Sequence, residues 1–163
     1  MRGAGGQAGD VIRIFIDGDA CPVKDEVFKV ANRYGLAVTV VGNAWLRLPD
    51  DPSLTMVVVA EGADAADDRI VELIEAADIC VTNDIPLGSR CLLKGALAIR
   101  PNGKPFTESS IGDALATREL MNSLRETGTM TGGPAPFSKQ DRSRFLSALD
   151  TMVHQAKRAK RSD

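Results

Sequence analysis

Apolar and polar positions along the chain fall into blocks, and each block carries the period of one type of element. VIRIFI (11–16) is rich in β-branched residues and predicts a buried strand. Pro22 can open a helix at its first position. Val23, Val27, Val30 and Ala31 then share one face of that helix, and Gly35 ends it. LAVTVVG (36–42) and TMVVVA (55–60) predict two more strands, separated by a loop that carries Pro49 and Pro52. RIVELIEAA (69–77) sets Ile70, Leu73, Ile74 and Ala77 on a helix's inner face. DICVTN (78–83) predicts a fourth strand, IPLGSRCLLKG (85–95) a short helix closed by Gly95, and ALAI (96–99) a fifth strand.

Strands and helices that alternate through short joints imply a parallel sheet covered on both sides. The expected fold is a three-layer α/β/α domain with a mainly parallel five-stranded sheet and two C-terminal helices. The first of those helices would start at a capping box, Ser110 to Asp113, and stop at Gly128. TMTGGPAP is an irregular connector, and Ser138 with Asp141 begins the last helix, whose apolar stripe is Phe145, Leu149, Met152 and Val153. Residues 1–10 read as a disordered tail, 11–155 as one domain, and 156–163 as a basic frayed tail.

Composition narrows the partners. The chain has 163 residues, 44% hydrophobic and 26% charged, which suits one globular domain with its own core. Its 20 basic and 22 acidic residues leave a net charge of −2, so no basic footprint covers the whole molecule. Three cysteines without metal-ligand or redox spacing, no leader pattern and no 18-residue apolar stretch point to the cytoplasm and away from a membrane. A helix start near Cys21 would lower its pKa, yet no histidine lies nearby to act as base.

The candidate chemistry lies at strand ends. In an open parallel sheet the functional crevice lies beyond the carboxyl ends of the strands. Asp17 and Asp19 follow the first strand, Asp64, Asp67 and Asp68 the third, and Asp84 the fourth. If the first strand is central, with the third or fourth beside it, these carboxylates share one cleft. Clustered carboxylates need a compensating cation or retained protons, and a hard oxygen-liganded ion, Mg²⁺ or Mn²⁺, suits them. At about 100° per residue, Asp67 falls roughly 60° from Ile70 and Asp68 about 160°, so Asp64 and Asp67 are favoured over Asp68. Each acid also has a structural alternative: Asp19 as a helix cap, Asp67 or Asp68 as complement to a helix dipole. The single histidine, His154, lies off the apolar stripe of the last helix and reads as a surface residue.

IDGDACPVK, EGADAADDRIVE, VTNDIPLGSRCLLKGA and TGGPAPFSKQDRSRFLSALD together resemble the YaiI/YqxD family of uncharacterised proteins, over residues 11 to 153. Gly18 departs from the family's more usual alanine, and Asn83 and Gly88 are mild variants. That family is in turn similar to PIN-like and NYN-type ribonuclease domains, which hold divalent metal with acids from these strand ends. By that wider resemblance Asp17 matches the acid after the first strand, Asp64 that of the Gly-x-Asp motif and Asp84 that of the Thr-x-Asp motif.

The resemblance implies a PIN-like fold and a metal-dependent nuclease acting on RNA rather than DNA. Asp17, Asp64 and Asp84 would be catalytic metal ligands, with Asp19 and Asp67 in an outer shell or on a second ion. Thr82 and Asn83 are candidates to contact phosphate, and Arg90, Lys94, Arg100 and Lys104 to hold the strand; solvated surface charge is the plain alternative for each cation. Two rival readings remain. IFIDGDA also fits a haloacid-dehalogenase-like phosphohydrolase, with Asp17 as nucleophile and Lys94 as its lysine, although the acidic pair that such enzymes need after the lysine is missing. Alternatively the domain binds RNA or protein without cleaving.

Overall fold

A computed structural model of the chain describes residues 12–18, 21–60, 65–107 and 138–162. Five strands, β1 (Arg13–Asp17), β2 (Ala37–Gly42), β3 (Leu54–Val58), β4 (Ile79–Val81) and β5 (Leu97–Ile99), form one sheet in the order β3-β2-β1-β4-β5. Every pairing between them is parallel. Among the described residues the helices are α1 (Lys24–Tyr34), α2 (Ala65–Leu73), α3 (Ile85–Leu93) and α4 (Lys139–Ser162). None of them is long and apolar enough to cross a membrane.

The central strand shows why the chain folds this way. Ile14, Phe15 and Ile16 are consecutive and all buried, because both faces of β1 are covered. Ile14 and Ile16 join Val38, Val40, Ile79 and Val81 on one face, where Val27 and Val30 of α1 and Phe145, Leu149 and Val153 of α4 close over them. Phe15 turns to the other face with Val41, Cys80 and Ala98, beneath Ile70 of α2 and Leu87 and Cys91 of α3. Each valine, leucine, isoleucine or phenylalanine among them contributes about 1.5–3 kcal/mol when fully buried. The predicted inner face of α1 is the one buried, and Gly35, at φ 67, ends that helix with its N–H on the carbonyls of Ala31 and Asn32.

Two boundaries differ from the sequence reading. α2 begins at Ala65, four residues ahead of RIVELIEAA, because Ala65 and Ala66 are strong helix formers and Asp67 and Asp68 suit the first turn. It stops at Leu73, short of Ala77, which is left-handed at φ 69. Asp78 organises that stop. Fully buried, it accepts hydrogen bonds from the Glu75 backbone N–H at 2.9 Å and the Arg13 backbone N–H at 3.1 Å, and it pairs with the Arg13 guanidinium at 2.9 Å. Arg13 also donates to the Leu73 carbonyl at 2.8 Å, closing the last turn of α2.

The second difference lies at the C-terminus, where α4 continues as helix to Ser162 with Ala156 fully buried, past the expected domain end at 155. The start of α4 follows the sequence: Ser138 and Asp141 exchange hydrogen bonds in both directions at 2.9 and 3.1 Å. The N-terminal tail 1–10, the helix expected from Ser110 to Gly128 and the TMTGGPAP connector lie outside the described residues.

Candidate functional site

The strand order reverses direction at β1. From β1 the chain passes through α1 to β2 on one side, whereas β4 lies on the other side. The crevice beyond the carboxyl ends of β1 and β4 is therefore the switch point at which such sheets bind ligands. A cavity of about 350 Å³ occupies it, lined by Asp17, Cys21, Thr82, Asn83, Asp84, Ile85 and Pro101.

Alternation along the strands fixes the polar side of this cavity. Asp17 is two residues beyond Phe15, and Thr82 is two beyond Cys80, so both project on the face covered by α2 and α3. Thr82 is buried, and its Oγ1 donates to Asp17 Oδ2 at 3.1 Å. The same hydroxyl accepts the backbone N–H of Asp84 at 2.9 Å. Its own backbone N–H donates to the Ile99 carbonyl at 3.1 Å, which extends the β4–β5 ladder and holds the residue in place.

Asp84 is the N-cap of α3, accepting the Leu87 N–H on Oδ1 at 2.9 Å. Among the described residues its second oxygen takes no further hydrogen bond. One side chain thus starts a helix and presents a carboxylate oxygen to the cavity wall. The helix's own N-terminus favours that negative charge.

The remaining candidates divide sharply. Asn83 is exposed on the cavity wall. Asp67 is half-buried in the first turn of α2, and its charge, like that of Asp17, bears on the Cys80 thiol. Hydrogen bonding to Cys91 and complete burial already push that thiol's pKa well up, and the two aspartates push it further. Asp68 points outward to an ion pair with Arg90 at 2.8 Å, which draws Arg90 away from the cavity. Lys94 caps the far end of α3, about 15 Å of helix from Asp84, and donates to the Val71 carbonyl. The structure therefore leaves Arg90 and Lys94 out of the cavity. Asp19 and Asp64 lie outside the described residues.

Cys21 lines the cavity, but burial raises its pKa, contrary to the lowering that a helix start suggested. The Val23 backbone and the Lys24 charge at the start of α1 do act to lower it, but the desolvation of the buried thiol is the larger effect. Sequence reasoning did not anticipate Pro101, whose place on the wall comes from the turn after β5; no local signal announces it.

Two carboxylates and neutral oxygen groups on one wall suit a hard cation, since Mg²⁺ is commonly held by one or two carboxylates with water and phosphate completing its shell. Among the described residues no three acidic, histidine or cysteine side chains gather tightly enough to enclose an ion by themselves.

The comparisons with known proteins cover this same stretch. The profile described as "Uncharacterized BCR, YaiI/YqxD family" matches residues 15–155. A UPF0178 protein of Paramagnetospirillum magneticum is 83% identical over 146 residues, covering 90% of this chain and 97% of that one. A UPF0178 protein of Rhodopseudomonas palustris is 58% identical over 146 residues, covering 90% and 92%. One from Bradyrhizobium is 54% identical over 147 residues, covering 90% of each. No solved structure matches. With the profile spanning both edges of the cavity and relatives aligned over nine-tenths of its length, the chain belongs to the uncharacterised YaiI/YqxD (UPF0178) family.

Proposed function

We propose that the crevice between β1 and β4 binds Mg²⁺ or Mn²⁺ and that the chain is a metal-dependent phosphodiesterase, a PIN-like nuclease acting on RNA. The observation that carries this reading is the Thr82 hydroxyl, which ties the Asp17 carboxylate to the residue that places Asp84. A polar turn alone does not require a buried threonine to join two acids brought together by different strands.

In this reading Asp17 and Asp84 hold the ion, and Asp64 with Asp67 and Asp19 completes or surrounds the set. The ion's chemistry would be to lower the pKa of bound water and offset charge on the reacting phosphate. Asp17 and Asp84 would stay ionised, Thr82 would fix the orientation of the Asp17 oxygens, and exposed Asn83 would offer a hydrogen bond to a phosphate oxygen. Arg90 and Lys94 have no part in this assignment.

Haloacid-dehalogenase-like chemistry is disfavoured because Lys94, its candidate lysine, stands at the opposite end of α3. The test is hydrolysis of a mixed RNA pool with Mn²⁺ by the wild type and by an Asp17→Asn, Asp84→Asn double variant. Cleavage by the wild type alone is expected. Equal turnover by both proteins removes these residues from catalysis, and binding without turnover by the wild type favours a non-catalytic RNA-binding module.

A further inference from the structure

We propose that the outer edge of β3 is a self-association surface, at which a second copy of this chain adds its own β3 in antiparallel register and the two sheets become one. This surface is independent of the crevice between β1 and β4. The two edges of the sheet differ. Beyond β5 the chain turns back on itself: Phe106 donates its backbone N–H to the Ala98 carbonyl at 2.8 Å, and Pro105 bridges Ile99 in antiparallel fashion. That return covers the β5 edge and sets a proline on it, two common ways of stopping a strand from recruiting another. Among the described residues nothing pairs with the outer side of β3. From Leu54 to Ala60 the sequence LTMVVVA holds no charge, proline or glycine, and Thr55 and Val58 are exposed, Val58 to 51%.

The ladder to β2 fixes which backbone groups are left over. Ser53 accepts the Val38 N–H on its carbonyl at 2.9 Å, and Val59 donates its N–H to the Gly42 carbonyl at 2.9 Å. Val38 stands opposite Leu54 and Gly42 opposite Val58. Thr55 and Val57 therefore turn their N–H and C=O groups towards β2, and Leu54, Met56 and Val58 turn theirs away. Of these the Leu54 N–H is closed on the Asp51 carbonyl at 3.0 Å. Antiparallel pairing centred on Met56 uses what remains. The two Met56 residues exchange N–H···O bonds, and each Val58 N–H meets the Leu54 carbonyl of the other copy.

That register also suits the side chains. It sets Val58 against Leu54 and Thr55 against Val57, apolar and β-branched pairs of the kind that stabilise antiparallel sheets. Within the strand no charge meets a like charge. Towards its ends the charges are opposite. Leu46, one residue before Arg47, reaches the Gly18 position past the carboxyl end of β1, whereas Asp50 and Asp51 lead into the amino end of β3. A two-fold axis at Met56 brings the carboxyl end of one strand to the amino end of the other, and so the acids of one copy towards the arginine of the other. An identical strand is the occupant that this edge complements, and because the contact is isologous it closes at two copies. β4 lies on the other side of β1 from β3, so both crevices stay open.

The test is the mass of the full chain in solution, by sedimentation equilibrium at micromolar concentrations. The wild type should approach twice the 17.4 kDa of one chain. A Thr55→Lys, Val58→Lys double variant, altered only at exposed positions, should raise the dissociation constant at least tenfold with an unchanged circular dichroism spectrum. Leu93→Lys, at an apolar side chain 86% exposed at the end of α3, is the control and should associate as the wild type does. Amide hydrogen exchange gives a second reading. The Met56 and Val58 amides should be protected in the wild type and exchange at least tenfold faster in the double variant, while those of Thr55 and Val57 stay protected in both. A wild type with the mass of one chain overturns the proposal, and protected Met56 and Val58 amides in that monomer would mean that another part of the same chain covers the edge. A double variant that remains dimeric, or a Leu93→Lys protein that dissociates, removes β3 as the contact. Assemblies that grow beyond two copies contradict the two-fold register.

Discussion

Thr82 Oγ1 and Asp17 Oδ2 are 3.1 Å apart across 65 residues of sequence, and that hydrogen bond joins the ends of the two strands that flank the switch point. The hydroxyl uses its proton on Asp17 and a lone pair on the Asp84 N–H, so neither bond can be replaced by a methyl group. Thr82→Val should therefore cost about 1–3 kcal/mol in urea unfolding and weaken Mn²⁺ binding about 10–100-fold, the range seen when an outer-shell partner is lost. Thr82→Ser should recover most of the metal affinity. If valine leaves both quantities unchanged, the hydroxyl is incidental.

Asp84 has two duties that substitution can separate. Asparagine caps a helix about as well as aspartate, so Asp84→Asn should keep stability within about 0.5 kcal/mol while removing the charge. Asp84→Ala should lose about 1 kcal/mol as well, because the Leu87 N–H loses its acceptor. Thermal unfolding beside Mn²⁺ titration checks this. A structural cap and nothing more predicts that asparagine preserves Mn²⁺ binding.

Asp78 is the purely structural counterpart at the opposite edge of the sheet. Its buried carboxylate gathers two backbone N–H groups and the Arg13 guanidinium, so Asp78→Ala strands several donors and should destabilise the fold by about 2–4 kcal/mol. Mn²⁺ affinity of the folded fraction should not change. Chemical denaturation with a metal titration below the transition reads both.

The α1–α4 packing should respond to acid. Tyr34 donates its hydroxyl proton to Asp150, and that bond, with help from Arg33, holds the Asp150 carboxyl below its ordinary 3.8. A carboxyl depressed in the folded state stabilises fully above its unfolded value, and the contribution fades as pH falls from 3.8 through the folded value. Tyr34→Phe removes the main cause, so its stability should decline less steeply than the wild type's below pH 3.8. Urea midpoints from pH 6 to about pH 2.5 decide it; parallel curves for the two proteins contradict the assignment.

Much of this architecture is legible in the sequence alone. Ile14, Phe15 and Ile16 form an uninterrupted apolar run, and such a run without alternation already implies a strand covered on both faces. The spacing of Val27, Val30 and Ala31 and the stop at Gly35 likewise define α1. Strand order is not legible, because nothing local to VIRIFI says that β4 rather than β3 is its neighbour. The convergence of Asp17 with Asp84 depends on that long-range choice.

The cations mislead for a related reason. Lys94 and Arg90 are close in sequence to Asp84, but α3 carries them back along the sheet towards its other edge.

The measurement that bears most directly on the central claim is Mn²⁺ titration of the purified protein, followed by electron paramagnetic resonance and repeated with Asp17→Asn and Asp84→Asn. The account predicts saturable binding by the wild type, competed by Mg²⁺ and weakened at least tenfold by either substitution while both variants remain folded. Undiminished binding in both variants, or none in the wild type, would contradict it.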